Sequence, residues 1–229
     1  MGVGAFFHHI GTFFLFAATI LLLIASISSP VIDGISILRV DQNAGYYTFG
    51  SWGWCFHNNG GDTECSRKMI GYNPADLIRK NDRDIDVSGA GENTSKALTR
   101  VMVLHAVGCV LSFIGFILAI GRGTATNFLS SLLSGVAFVV TIIVLATDFA
   151  GMAIIHHDAN DSNNSSASYG SAIWCVVGAA IALFFATILL FLTCCAGRRK
   201  NKHSDTENKV EAARASRRFN FGRKKAAAV

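Results

Sequence analysis

Charged side chains are missing from four long stretches of the sequence. Only 15% of the chain is charged, and its mean hydropathy is positive. No Asp, Glu, Lys or Arg occurs in four windows: 1–32, 101–120, 123–147 and 162–197. Helices of a soluble bundle carry a polar face, so these absences argue against that class. Because a bilayer-spanning helix needs about 20 mostly apolar residues, the sequence predicts a membrane protein with four spans, at 10–28, 101–120, 128–149 and 171–195.

A basic segment is also missing before the first apolar run. A secretory signal peptide normally begins with such a segment. Small residues at Ser26-Ile27-Ser28 have the spacing of a cleavage site, but without the basic segment we expect the first span to be retained as a helix.

Basic residues are concentrated after the fourth span. Residues 197–229 hold eleven of the twenty Lys and Arg residues, against three acidic residues. Such a segment stays in the cytosol, and four crossings then place the N-terminus in the cytosol too. The predicted divisions are the N-terminus with span one (1–28), an extracellular loop domain (29–99), spans two and three with a short cytosolic turn (100–155), a second extracellular loop (156–170), span four (171–195) and a basic cytosolic tail (196–229).

Glycosylation sequons have a distribution that agrees with this orientation. All four lie in the two predicted extracellular loops, and they begin at Asn93, Asn160, Asn163 and Asn164. Each is a candidate acceptor in a secreted or surface loop.

Two of the six cysteines lie ten residues apart in the first extracellular loop. A pair such as Cys55 and Cys65 forms a stable disulfide in an oxidising compartment. A metal site would need two more soft ligands, and the loop offers only His57. We therefore predict a disulfide.

The other four cysteines belong to the spans. Cys109 and Cys175 are interpreted as small buried side chains. Cys194 and Cys195 end the fourth span on its cytosolic side, where they are either palmitoylated or plain thiols.

The first loop contains the pattern of a small sheet. The segments SILRV (36–40) and YYTFGSWGWCF (46–56) are rich in residues that favour strands. Residues 58–61 supply a turn that brings Cys65 back to Cys55, and NPADLIRKN (73–81) predicts a short surface helix. The predicted fold is mainly α and integral to the membrane: a four-transmembrane-helix bundle with a small disulfide-linked extracellular β-sheet.

Short motifs in the first loop carry a resemblance to a known family. Trp52-Gly53-Trp54-Cys55, followed by Cys65, resembles the loop motif of the claudin-like superfamily. With SSPVI (28–32), FGSWGWC (49–55) and IGY (70–72), the chain resembles the fungal PalI and Sur family over about residues 6–197. Claudins have a longer spacing with a leucine before the first cysteine, so the fungal branch fits better.

The resemblance implies a plasma-membrane function and two kinds of partner. Members similar to PalI assist a membrane sensor protein in ambient alkaline-pH signalling, whereas Sur-type members organise eisosomes and the cell wall. The order of motifs here is closer to the PalI type. The expected partner is therefore a membrane sensor protein or, alternatively, the eisosome proteins.

Catalytic motifs are absent from the sequence. It has no nucleophile–base motif, phosphate loop or HExxH, so we expect no enzyme and no cofactor or metal. Adjacent histidines at His8-His9 and at His156-His157 cannot share one helix face. Two ionisable residues at membrane depth, His105 and Asp148, are functional candidates by default; the alternative is a packing hydrogen bond for His105 and an interfacial position for Asp148.

Internal repeats, which are typical of transporters, are absent too. Instead the spans carry small residues at helix-packing spacing, such as Gly108 and Ser112. These residues allow close packing within the bundle or between protomers of a homo-oligomer.

The tail combines basic clusters with aromatic residues. At the inner leaflet these predict binding to anionic lipids rather than nucleic acid; the alternative is a solvated tail. The candidate lipid-binding residues are Arg198, Arg199, Lys200, Arg217, Arg218, Lys224 and Lys225. Ser216, in the context RASRR, is a candidate phosphorylation site.

Overall fold

Four long helices form a bundle in the part of the chain that the structure describes. The computed structural model describes residues 3–32, 34–74, 76–77, 99–121, 124–160 and 165–194. The helices are α1 (Val3–Ser26), α2 (Leu104–Ile120), α3 (Thr124–Asn160) and α4 (Ser171–Cys194). By length and composition the chain has four apolar spans of 21 to 27 residues, each able to cross a bilayer; the second begins at Thr99, before α2. The four-helix architecture expected from the charge-free windows is confirmed.

Small residues bring the four helices close together. A Cβ added to Gly108 on α2 would lie 3.5 Å from the Thr141 hydroxyl on α3, and one added to Gly178 on α4 would lie 3.3 Å from Leu21 on α1. The hydroxyl of Thr19 on α1 donates to that of Ser112 on α2 at 3.1 Å. These small residues therefore serve packing inside the bundle.

An antiparallel sheet of five strands covers one end of the bundle. The strands are β1 (Leu38–Gln42), β2 (Gly45–Gly50), β3 (Gly53–Asn58), β4 (Thr63–Cys65) and β5 (Ser165–Tyr169). Their order across the sheet is β4-β3-β2-β1-β5. The mainly helical fold with a small disulfide-linked sheet, similar to that of claudins, is thus confirmed.

The fifth strand comes from the connection between α3 and α4. Leu38 of β1 pairs with Tyr169 of β5, and Gln42 pairs with Ser165. Both strand-bearing connections therefore lie at the same end of the bundle. The sequence of β5, SSASY, lacks the β-branched pattern that marks a strand, and for this reason only strands of the first loop were expected.

Two elements differ in length from their sequence-based expectations. The apolar window 128–149 marks the membrane-spanning part of α3, but the helix runs from Thr124 to Asn160 and enters the region expected to be a loop. The segment 46–56 forms two strands, because the chain reverses at Ser51 and Trp52. The short helix expected at 73–81 lies mostly outside the described residues.

One face of the sheet forms a hydrophobic core with the end of the bundle. Its buried residues come from β1 and the residue before it, β2, β5, the segment after β4 and the first turn of α4: Ile37, Leu38, Val40, Tyr47, Phe49, Tyr72, Ala167, Ala172 and Ile173. Trp54, Phe56 and Met102 pack against this cluster. The sheet is therefore fixed to the bundle by apolar burial, and its opposite face is left for polar residues.

Candidate functional site

The turn between β2 and β3 is tied to the end of α1. The indole Nε1 of Trp52 donates to the carbonyl of Ser26 at 2.6 Å. The Ser51 hydroxyl donates to the carbonyl of Ala25 at 3.0 Å, and the Ser51 amide donates to the Ser28 hydroxyl at 3.0 Å. The bonds to Ala25 and Ser26 satisfy carbonyl groups that the last turn of a helix leaves without an intrahelical partner. Trp52 of the predicted loop motif is thus a link between the sheet and the first span.

The other two motif residues fix the path of β3. A Cβ on Gly53, whose φ is 152°, would overlap the Ser66 hydroxyl. That hydroxyl accepts a hydrogen bond from the amide of Trp54 at 3.1 Å, and the Trp54 ring packs edge-on against Tyr47. Glycine is therefore needed where the residue after β4, Ser66, runs alongside β3.

Cys55 and Cys65 form the predicted disulfide, which joins β3 to β4. Cys55 is fully buried and lies 3.5 Å from the hydroxyl of Ser29, whereas all three residues of β4 are exposed. A three-residue strand with no buried side chain has little apolar surface of its own to hold it. The disulfide therefore keeps this edge of the sheet in place.

Tyr72, from the IGY motif, connects the sheet to the start of the second span. Its hydroxyl donates to the carbonyl of Gly50 at 2.8 Å, and its own carbonyl accepts from the Thr99 hydroxyl at 2.7 Å. Burial, and after it the charge of Asp148, raises the pKa of the Tyr72 phenol. The phenol therefore stays protonated and remains a donor to Gly50.

His105 and Asp148 meet in the interior, just beneath this junction. His105 Nε2 lies 3.0 Å from Asp148 Oδ2, and His105 Nδ1 lies 2.8 Å from the carbonyl oxygen of Met102. The two side chains are 0% and 2% exposed. The pair thus joins α2 to α3 through ionisable groups that have no access to bulk solvent.

Apolar layers enclose the pair on both sides. Towards the middle of the bundle lies a cluster of Ala25, Val144 and Val176, against which Leu104 packs. Towards the sheet lies the core of its inner face, which includes Tyr72 and Met102. The pair therefore occupies the boundary between the helical bundle and the sheet.

The outer face of the sheet carries a charged aromatic stack. The guanidinium of Arg39 lies 3.8 Å from the centre of the Tyr46 ring and also forms a 2.8 Å ion pair with Asp41. The Tyr46 ring stacks on His57, with centroids 4.3 Å apart, and His57 Nδ1 lies 3.2 Å from the Thr63 hydroxyl. His57, the one candidate metal ligand of this loop, thus belongs to an aromatic stack.

The remaining predicted site residues lie apart from this junction. Cys109 and Cys175 are half-buried free thiols, and Cys194 is buried at the end of α4. Asn160 is the last residue of α3. Outside the described residues lie Asn93, Asn163, Asn164, Cys195, Arg198, Arg199, Lys200, Ser216, Arg217, Arg218, Lys224 and Lys225. Within the described ranges, no three His, Cys, Asp or Glu side chains come together as a metal site would require.

His105 and Asp148 are separate candidates in the sequence, and the structure brings them together as a pair. The serines at positions 26, 28, 29 and 51 appear in the sequence only as part of a cleavage-site spacing and of the family motifs, whereas in the structure they connect α1 to the sheet. Serine is common at helix ends and in turns, so nothing local distinguishes these four. One feature of the sequence does point to this pairing: both residues stand at the same end of neighbouring spans.

Comparison with known proteins agrees with this architecture. The model of the SUR7/PalI family matches residues 7–186. The pH-response regulator protein palI/prr-5 of Neurospora crassa is 33% identical over 107 residues. This match covers 46% of the chain but only 14% of the relative, so the chain corresponds to a small part of that longer protein. Since the family model extends over all four spans except the end of the last, the chain belongs to the SUR7/PalI family.

Proposed function

We propose that this protein is a non-enzymatic plasma-membrane protein that assists the sensing of ambient alkaline pH. The observation that carries the proposal is its similarity to the pH-response regulator palI/prr-5 over 107 residues. The accessory role is expected to be exerted through the sheet on one side of the membrane and the basic tail on the other.

Three observations support an orientation with the sheet outside and both termini in the cytosol. The Cys55–Cys65 disulfide is stable in the oxidising environment outside the cell. The pairing of β1 with β5 requires the two connections to lie on one side of the membrane. The excess of Lys and Arg after the fourth span favours the cytosol for the opposite side.

Affinity purification of the full-length protein from mild detergent tests the proposed role. We expect a membrane sensor protein among the partners, and deletion of the protein should make the organism that carries it sensitive to alkaline medium. Growth at alkaline pH that is unchanged by deletion would contradict the proposal.

An organiser of plasma-membrane domains is the second candidate. The observation that favours it is the family itself, whose model represents SUR7 proteins as well as PalI proteins. Copurification of eisosome proteins and loss of membrane furrows on deletion, without alkaline sensitivity, would favour this candidate over the first. In either role, self-association into a homo-oligomer is proposed, and the same purification with two differently tagged copies tests it.

A sugar chain is expected on Asn93. The sequons at Asn163 and Asn164 run directly into β5, which is paired in the sheet, and Asn160 ends α3, so these three are poorly placed for an enzyme that modifies an extended chain. Glycosidase treatment should therefore shift the mobility of the wild type and of Asn160→Gln, and Asn93→Gln should abolish the shift. No shift in the wild type would contradict this prediction.

The basic tail is expected to bind anionic lipid and to be released by phosphorylation of Ser216. Each Lys or Arg near an anionic leaflet contributes about 1 kcal/mol of binding free energy, and a phosphate adds about −1.5 to −2 charge within the second basic cluster. A peptide of residues 196–225 should bind vesicles that contain anionic lipid and lose affinity when Ser216 is phosphorylated. Phosphate at Ser204, next to acidic residues, is the matched control, with a smaller expected loss. Equal binding to neutral vesicles would contradict the prediction.

A further inference from the structure

We propose that His105 and Asp148 form a buried proton-binding site, occupied at neutral pH and emptied at alkaline pH, that controls the contact between the sheet and the bundle. The role of this site in pH sensing rests on the proposed function, whereas its ability to bind a proton does not.

Hydrogen-bonding capacity determines how many protons the pair holds. The Met102 carbonyl can only accept, so His105 Nδ1 must carry a proton to bond to it at 2.8 Å. Across the 3.0 Å between His105 Nε2 and Asp148 Oδ2, a hydrogen bond requires one more proton. That proton is held either by the imidazolium or by the carboxylic acid. In both forms the pair is neutral overall and satisfies both contacts.

Loss of the shared proton makes this arrangement unfavourable. If the remaining ring proton stays on Nδ1, the lone pair of Nε2 then faces a carboxylate. If it moves to Nε2, the bond to the Met102 carbonyl is lost instead, and in either tautomer the site carries one negative charge. The side chains are 0% and 2% exposed, so water is not in place to solvate that charge. A buried charge without a counter-charge is strongly destabilising, which favours opening of the α2–α3 contact when the proton leaves.

Few other titratable groups in the described residues face the pair. The Tyr72 phenol donates to the Gly50 carbonyl instead. Arg100, before α2, is exposed and packs beside Gly71. On α4 the titratable group closest to the sheet end of the helix is the half-buried thiol of Cys175. Residues 19–26 of α1 contain no titratable side chain, and the inner face of the sheet contributes Tyr47.

Met102 transmits the state of the site to the sheet. Its carbonyl holds the His105 ring, and its side chain packs against the core beneath the strands. Tyr72 belongs to the same core and is linked to Thr99, at the start of the second span. When the His105–Asp148 contact opens, the start of α2 is freed from α3 and the sheet loses part of its support.

Thermal unfolding of the full-length protein in lipid nanodiscs, followed by tryptophan fluorescence, tests the site. Above about pH 6.5, a histidine in the unfolded chain has lost its extra proton. The folded wild type, with its shared proton, then holds one more proton than the unfolded chain. Its stability must therefore fall as pH rises. The unfolding constant should increase about tenfold per pH unit until the site empties.

Asp148→Asn is the informative variant. An amide at this position donates to the Nε2 of a neutral imidazole, which keeps the contact without the shared proton. Its pH dependence of unfolding should be weaker than that of the wild type by about one proton. Asp41→Asn, the same chemical change at the exposed ion pair with Arg39, is the control and should retain the wild-type dependence. Equal pH dependence of the wild type and Asp148→Asn would overturn the proposal.

Histidine NMR of the labelled wild-type protein gives a measurement that does not depend on variant stability. The chain has seven histidines, and the His105 signal is the one that moves in Asp148→Asn and disappears in His105→Asn. We expect this signal to change between neutral and alkaline pH as the shared proton leaves. A wild-type spectrum in which no buried histidine signal changes over that range would overturn the site.

The two proposals fail in different ways. A weaker pH dependence in Asp148→Asn, combined with normal alkaline growth of the deletion strain, supports the proton site and contradicts the proposed function. Alkaline sensitivity of the deletion strain, combined with equal pH dependence of the two proteins, supports the function and overturns the site.

Discussion

Replacing Cys55 with serine is expected to retain the protein in the endoplasmic reticulum and to destabilise the sheet by about 2–3 kcal/mol. The three residues of β4 are all exposed, and the disulfide is the covalent link that holds them against β3. Without it the unfolded loop gains conformational freedom and the β4 edge detaches. Surface labelling and microscopy of the tagged protein measure delivery, and Cys65→Ser should behave in the same way.

Cys109→Ser is the matched control for this experiment. Cys109 is a free, half-buried thiol on α2, so the same substitution there should leave delivery close to normal. Normal surface delivery of both Cys55→Ser and Cys65→Ser, with no change in the mass of the wild type on reduction, would show that the disulfide is not required.

Replacing Gly50 with alanine is expected to lower the stability of the sheet by about 3 kcal/mol, at the upper end of the usual effect of overpacking. A Cβ there would overlap the carbonyl oxygen of Ser29 and lie 2.6 Å from its amide nitrogen. Neither Ser29 nor Gly50 can easily move away. The Ser29 amide donates to the carbonyl of Ile35 at 2.8 Å, and the Gly50 carbonyl accepts from Tyr72. Thermal unfolding of the purified protein measures the change.

Gly34→Ala provides the comparison, since a Cβ at Gly34 would meet nothing within 4 Å. This variant should unfold close to the wild-type temperature. If Gly50→Ala were as stable as Gly34→Ala, then the close approach of Ser29 to the end of β2 would not matter for stability.

The spans and the first hairpins could be predicted because their signals are local. A helix in lipid must be apolar over its whole length, and the charge-free windows of this chain mark that requirement directly. The disulfide likewise follows from two cysteines that flank a turn of Asn and Gly residues. In both cases the interacting residues lie close together in the sequence.

The rest of the junction depends on contacts between distant parts of the chain. β5 consists mostly of serine and forms a strand because β1 offers an open edge beside it. His105 and Asp148 lie on different helices, and their pairing depends on how α2 and α3 rotate against each other when their small residues pack. Such choices are made by tertiary packing, which residue patterns within one segment do not record.

The pairing of Leu38 with Tyr169 has a consequence for biosynthesis. During translation, β1 leaves the ribosome long before β5, since the second and third spans are made between them. At the usual rate of synthesis this interval lasts on the order of ten seconds. Throughout it the nascent first loop exposes the unpaired backbone of β1, and an open edge of this kind attracts other strands. The newly made protein is therefore most vulnerable to mispairing, and most in need of a chaperone, until the connection before the fourth span arrives.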